Sequence, residues 1–442
     1  MRNLVLSLLF FSLVVSRASG QEWYHTGDKA AEMVLSPLAP SGILDGCPKF
    51  RNLRDAQSYP DFDTRLKEVE EVPPEVLPLP TDDLDRAGLV EVLNTNLDYW
   101  NSKPVDFKIL IGKDYYTASL MRLTVKKLLE IFSSGVSGEE LRKTINAQFR
   151  IYRAAADNGS KEVVITGYYE AEIAVSRKRT DLEKYAIYLK PADLIKTTPD
   201  MGVDYDYGRL DENGKIIKHY SRQEIHEGRL DGKKLEIVWS AHPSQIMLAQ
   251  IQGSAVLRFS DGATGLSRAS GAVRGRDFLR AGFNGANGWP FRSVQRILMD
   301  CGEIPSMSFK DFISYLSSQP VDREERLVDL NPRFIFFGVM PKDSLPCGAL
   351  GRTLTAGRSV AIDPKYIPLG LFGLLKSKRP VASPDGGLSG FKDFTRFIAT
   401  HDTGSAIRGP GRLDLFWGSG PVAETEAGSM KAPGELYLFA LK

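Results

Sequence analysis

Hydrophobic spacing divides the chain into stretches of different period. Up to about Asp82 no period holds, and Pro73, Pro74, Pro78 and Pro80 break any regular element, which predicts an extended segment or linker over 21–82. From Leu84 the spacing becomes helical: Leu89, Val92, Leu93, Leu97 and Trp100 recur every three or four residues. Met121, Leu123, Val125, Leu128, Leu129 and Phe132 predict a second helix, closed by Gly135 and Gly138, and 139–156 a third. After Asn158-Gly159 the period drops towards two. Short strands are predicted over 162–169, 185–189, 235–239, 246–252, 255–259 and 333–337, separated by turns such as Glu212-Asn213-Gly214, Asp231-Gly232 and Asp261-Gly262. Short helices are expected near 291–299 and 310–317. The last region returns to strands at 360–362, 397–400, 413–417 and 436–441. Evenly spaced short strands favour a small closed barrel over a doubly wound sheet.

Composition narrows the class. The chain has 442 residues, 42% hydrophobic and 25% charged, with a net charge of +2. That is enough apolar material for two or three domains, and too little charge to indicate a nucleic-acid partner. At the N-terminus, Arg2, an apolar run from Leu4 to Val15 and the small residues Ala18-Ser19-Gly20 before Gln21 form a secretory signal pattern over 1–20. The run is too short to span a bilayer and no other stretch is long enough. No cysteine lies near the cleavage point, so no lipid anchor is expected. Three cysteines, Cys47, Cys301 and Cys347, leave an odd thiol if one pair bridges in an oxidising compartment. The five histidines, His25, His219, His226, His242 and His401, are scattered, and neither they nor the cysteines form a zinc-binding spacing. No metal site and no cofactor are expected.

Candidate chemistry gathers in Arg396–Gly418, where Asp402 ends one strand pattern and Asp414 interrupts another across a loop holding Gly404, Gly409, Pro410 and Gly411. A carboxylate on a rigid strand suits acid/base work. Asp402 also reads as a turn former, since Asp before a glycine loop bonds its own backbone. Asp414, set among Leu413, Leu415 and Phe416, is costly in a strand and calls for a reason. His401 points to the opposite face from Asp402 along a strand, which makes it a supporting or structural group. Asp363, before Pro364, reads as structural. Thr166, Tyr168 and Tyr169 line a groove or pack a strand end; tyrosine rings suit sugar faces. Gln252, Gly253 and Ser254 offer close backbone approach to a ligand, or a bulge. Asn287-Gly288 marks a ligand contact or a turn, and Trp289 and Trp417 are sugar platforms or core.

The phrases ITGYYEAE (165–172), YAIYLKPADL (185–194), YSRQEIHEG (220–228), QIQGSAVLRFSDG (250–262), NGWPFRSV (287–294), NPRFIFF (331–337), GRSVAIDPKYIPLG (357–370) and HDTGSAIRGPGRLDLFWGSGP (401–421) follow one another in an order that resembles the bacterial membrane-bound lytic murein transglycosylase A family. The likeness covers about 152–442. It implies a mainly β fold with helices, in which a double-psi β-barrel, assembled from 83–170 and 339–442, carries an inserted β-rich domain over 171–338. A substrate groove is implied between the two. It further implies a lyase that cleaves the MurNAc–GlcNAc bond of peptidoglycan without water and leaves 1,6-anhydro-MurNAc ends.

By the same resemblance Asp414 matches the family's acid/base aspartate, Asp402 and Asp363 match its other two aspartates, and Thr166, Tyr168, Tyr169, Gln252, Gly253, Ser254, Asn287 and Ala406 become substrate-contact candidates. The expected partners are peptidoglycan glycan strands and wall-synthesis or division proteins, met by an exported, periplasmic monomer, free or associated with the outer membrane. The chain departs from the family pattern at Thr403, Ser405 and Arg408 in the loop after Asp402, and at Ala255 after Gln252-Gly253-Ser254. A β-1,4-glycoside hydrolase, which would need a second carboxylate acting on water, and a non-catalytic glycan-binding wall protein remain as alternatives.

Overall fold

The computed structural model describes residues 69–154, 162–260 and 277–442. The signal pattern, Cys47, the Asp261-Gly262 turn and most of the proline-rich segment lie outside the described residues. Among the described residues no helix is long and apolar enough to cross a membrane.

One long strand joins the two parts of the molecule. Strands are numbered here in chain order: β1 Val69–Val72, β2 Phe149–Ala154, β3 Val163–Val175, β4 Tyr185–Tyr188, β5 Glu236–Ser240, β6 Ser254–Phe259, β7 Phe278–Ala286, β8 Ile335–Met340, β9 Ser359–Ala361, β10 Phe372–Ala382, β11 Leu388–Asp402, β12 Arg412–Ser419 and β13 Lys431–Leu441. The first half of β3 lies between β12, which it pairs in parallel, and β13, which it pairs antiparallel. Continuing from β13 through β10, β11 and β9 back to β12 closes a ring of six strands. Closure removes the sheet edges that would otherwise seek partners. The second half of β3 leaves the ring and pairs in parallel with β6, which continues antiparallel through β7 to β8.

Alternation fills the ring. Leu413 and Leu415 point inward with Val360, Leu375, Leu436 and Leu438, all buried, while Asp414 and Phe416 face the other way. Helices α1 (Arg86–Asn101) and α2 (Ala118–Ser133) cover the barrel with the apolar faces their spacing predicts. Trp100 of α1 is buried and donates from Nε1 to the carbonyl of Gly370 at 2.8 Å. The inserted part has its own core, including Ile173, Leu257, Phe259 and Phe337. Trp417 packs against both cores.

Two expectations are corrected. Residues 246–252 are not a strand but most of helix α5 (Pro243–Gln252), following α3 (Gly138–Gln148) and α4 (Arg222–His226). This helix is apolar on all sides because it is almost wholly buried, which erases the periodicity that separates helix from strand. The third helix stops at Gln148, and the chain turns into β2 rather than staying helical to 156. At the end of the proline-rich segment, β1 pairs antiparallel with β2. Further along come α6 (Val294–Asp300), α7 (Phe309–Ser317), α8 (Val321–Asp329) and α9 (Pro421–Ser429). Cys347 is free and exposed, and Cys301 is disulfide-bonded.

Candidate active site

Strand register gathers the aspartates. Ala361 of β9 is paired with Asp402 of β11 on one side and with Asp414 of β12 on the other. Asp414 is in turn paired with Thr166 of β3. Paired residues on neighbouring strands project to the same face, so Asp402, Asp414 and Thr166 stand in one row on the barrel's outer surface. Two strand spacings, roughly 10 Å, separate the two aspartate backbones. Tyr168, two residues beyond Thr166 on the same face, bridges back along the row: its hydroxyl donates to Asp402 Oδ2 at 2.9 Å, and its ring lies 5.2 Å from that of Phe416.

The two carboxyls are treated differently. Asp402 Oδ1 accepts the backbone N–H groups of Ala349 and Thr403, each at 2.9 Å, while Oδ2 takes the Tyr168 hydroxyl. Burial pushes Asp402 up to about 6 against the pull of these donors, and the nearby Asp414 charge adds to the rise. Asp414 is also pushed up to about 6 by burial, opposed by the Arg412 charge. The residue keeps some exposed surface, yet its Oδ1 is sealed from solvent with no hydrogen-bond partner. A carboxylate sealed in this way costs several kcal/mol in general and responds by holding its proton. Thr166 Oγ1, its neighbour in register, is likewise buried without a partner, as is Trp417 Nε1 on the same strand.

Surrounding residues hold the row in place. Asp363 is buried; its Oδ1 accepts the N–H of Lys365 at 3.1 Å and its Oδ2 that of Gly409 at 2.8 Å, which ties the loop between the two aspartates to the turn after β9. His401 is fully buried on the opposite face, with Nδ1 2.9 Å from Ser359 Oγ and Nε2 2.8 Å from Asn96 Oδ1. Burial pushes it down to about 3, so it is a neutral structural imidazole. Gly167 is required for space: a Cβ there would meet Trp417 Nε1 at 2.7 Å and the Cα of Ala427 in α9 at 2.9 Å.

The remaining candidates scatter. Tyr169 is buried on the other face of β3; its N–H donates to Gln252 Oε1 at 3.0 Å and its hydroxyl to Glu424 Oε1 at 3.4 Å. Gln252 therefore ends α5 against β3. Gly253 is the left-handed cap of that helix at φ +80°, a cap rather than a bulge, and Ser254 opens β6 opposite Gly282. Ala406 sits half-buried in the loop after Asp402. Asn287 must be withdrawn as a ligand contact. It is fully buried: Nδ2 donates to the carbonyls of Tyr220 and Pro332, at 2.9 and 2.8 Å, and Oδ1 accepts from Phe334 N at 2.9 Å and Trp289 N at 3.4 Å. Trp289 is core as well, donating from Nε1 to His219 O at 2.8 Å. The Ala349 amide that grips Asp402 has no signature in sequence, since any residue supplies an N–H.

A family model described as the MltA specific insert domain matches residues 164–338, and one described as the 3D domain matches 358–440. The chain is 27% identical over 301 residues to the membrane-bound lytic murein transglycosylase A of Vibrio cholerae, spanning 67% of this chain and 71% of that one. It is 28% identical over 287 residues to that of Escherichia coli K12, spanning 64% and 67%. Among solved structures, a membrane-bound lytic murein transglycosylase from Agrobacterium tumefaciens is similar with a TM-score of 0.65 and 28% identity, over 85% of this chain and 98% of that chain. Escherichia coli MltA with bound chitohexaose shares the fold, at a TM-score of 0.61 and 21% identity over 87% and 97%.

Proposed function

The chain belongs to the membrane-bound lytic murein transglycosylase A family, and from that premise we propose that it cleaves the β-1,4 bond between MurNAc and GlcNAc in peptidoglycan glycan strands. Asp414 is the single acid and base. In its neutral form it donates its proton to the glycosidic oxygen as the C1–O bond breaks, and GlcNAc leaves with a free hydroxyl. Positive charge spreads over C1 and the ring oxygen of MurNAc. The resulting Asp414 carboxylate removes the proton from the MurNAc 6-hydroxyl, and that oxygen bonds to C1. Asp414 ends as it began, no water is consumed, and the product carries a 1,6-anhydro-MurNAc end.

The observation that carries this reading is the unpaired, sealed Oδ1 of Asp414 beside a carboxyl whose oxygens are already bonded. An acid that burial raises to about 6 holds its proton into the mildly acidic range and can donate it there. Asp402, with its three donors, is fitted to hold the loop, and in its ionised form it brings negative charge near the developing cation. Hydrolysis by a pair of carboxylates would assign Asp402 the job of activating water, and its three donors argue against that. We further propose that the insert spans 171–338, that glycan lies across the face of Asp402, Asp414 and Thr166, and that the protein acts outside the cytoplasm.

The test is mass spectrometry of purified peptidoglycan digested by the protein beside Asp414→Asn. Muropeptides one water lighter than hydrolytic products, missing with the variant, support the reading; products carrying the added water refute it.

A further inference from the structure

Two arginines stand beside the aspartate row without a carboxylate partner. Arg408 lies in the loop between Asp402 and Arg412. It is exposed, and among the described residues it makes no hydrogen bond or ion pair. Its neighbour Gly409 donates its N–H to Asp363 Oδ2 at 2.8 Å, two residues beyond the Ala361 that pairs with both aspartates. Arg408 therefore sits at the margin of the row. Arg333 comes from the insert, in the Asn331-Pro332-Arg333 turn just before β8. Its Nη1 donates to the carbonyl of Trp289 at 3.0 Å and its Nε is buried. Among the described residues neither Nε nor Nη2 has a hydrogen-bond partner, and Arg333 forms no ion pair. We propose that Arg333 and Arg408 together bind a carboxylate of the peptide stem that peptidoglycan carries on MurNAc, and so favour glycan strands whose stems are negatively charged. This rests on the reading of the protein as a peptidoglycan lytic transglycosylase.

Electrostatics brings the two cations together. Burial pushes Arg333 down to about 10, which leaves it charged at neutral pH; the Asp206 charge opposes the shift and the Arg408 charge adds to it. One guanidinium from the barrel loop and one from the insert thus lie within reach of each other's field. Like charges so placed, one of them largely withdrawn from water, repel at a cost to the fold. An anion held between them removes that repulsion and supplies an acceptor for the idle N–H groups. Asp206 does not fill this role, since it is exposed and forms no ion pair with Arg333.

The chemistry of the substrate selects the anion. In peptidoglycan the lactyl carboxyl of MurNAc is tied up in the amide that begins the stem, so the sugars carry no charge and the free carboxylates belong to the stem. A stem starts at every MurNAc, including the one whose C1 is brought to Asp414, and it leaves the sugar along the margin of the row. The planar guanidinium fork matches a carboxylate better than any neutral sugar hydroxyl does.

The experiment compares purified peptidoglycan before and after its stem carboxylates are converted to carboxamides with carbodiimide and ammonia. Initial rates of anhydro-muropeptide release at low substrate are read by mass spectrometry for the full chain, Arg408→Gln and Arg333→Gln. The native-to-amidated rate ratio is expected to be about ten for the unaltered chain and to fall towards one in each variant. Arg333→Gln gives up the bond to Trp289 and can disturb folding; Arg408→Gln, on an exposed loop, is the independent reading. A ratio near one for the unaltered chain, or a ratio that a folded variant keeps, overturns the proposal. Absence of anhydro products from both substrates is a separate result, which refutes the lytic reading itself.

Discussion

Asp414 on the barrel and Asn287 in the insert are both polar groups withdrawn from water, and the molecule handles them in opposite ways. Around Asn287, Nδ2 has two carbonyl acceptors and Oδ1 two backbone donors. Such a group fixes the path of three separate segments and has nothing left to offer a ligand. Along the barrel row, Asp414 Oδ1 and Thr166 Oγ1 are buried and unpaired. Each unpaired group costs about 1–3 kcal/mol of stability, a cost folding alone does not call for. Between these two positions, unused hydrogen-bonding capacity at Asp414 and full pairing at Asn287 make the difference.

If that contrast is right, the two positions respond to substitution in different quantities. Asp414→Asn keeps the shape and removes the proton donor. Lytic activity on purified peptidoglycan is expected to fall on the order of 1,000-fold, with the unfolding midpoint unchanged or slightly raised. An active Asp414→Asn would break the comparison at once. Asn287→Ala does the reverse. It strands the carbonyl of Tyr220 and the N–H of Phe334, leaves the carbonyl of Pro332 with only the Arg222 N–H, and is expected to cost about 2–4 kcal/mol in chemical denaturation. Whatever protein remains folded is expected to retain its activity per molecule.

Tyr168 sharpens the contrast between the two aspartates. Tyr168→Phe removes one of three donors to Asp402 and keeps the ring against Phe416. If Asp402 acts by holding charge and loop, kcat/KM is expected to drop about tenfold, with no change in product and the anhydro end retained. A loss as large as that of Asp414→Asn would instead make Tyr168 or Asp402 part of the proton transfer.

The sequence displayed these groups unevenly. Strands β9, β12 and β13 are legible because their inward residues alternate around a closed core, and the cost of Asp414 shows against Leu413 and Leu415. Which residues share its row does not show. The pairing of Thr166 with Asp414, and of both aspartates with Ala361, depends on register between strands far apart in the chain. Asn287-Gly288 looks the same in sequence whether the side chain faces a ligand or a knot of backbone groups. Helix α5 was hidden by its own burial, and β7 by glycines at 282 and 285 that weaken strand character.

The smallest expected effect is also the most direct check on how the barrel row holds its proton. Asp414 is raised by burial to about 6 in the folded chain, while an unfolded aspartate titrates near about 3.9. Between those values the folded state binds more protons than the unfolded one, so stability is highest at low pH. It declines as pH rises through that interval and levels off above about 6. Asp402 contributes in the same direction. Replacing Asp414 by Asn is therefore expected to flatten this part of the stability profile. Measured by denaturant unfolding, the variant should gain about 1–2 kcal/mol on the wild type between pH 4 and pH 7, a figure reduced for partial exposure of the group. Activity follows the same proton: the wild-type rate is expected to fall on the alkaline side of about pH 6 as the acid form is lost. Asn287→Ala, with no ionisable group, should lower the whole stability profile without changing its slope. Parallel profiles for wild type and Asp414→Asn would mean that the carboxyl is no more protonated in the folded chain than in the unfolded one, and the acid would have to be sought elsewhere on the row.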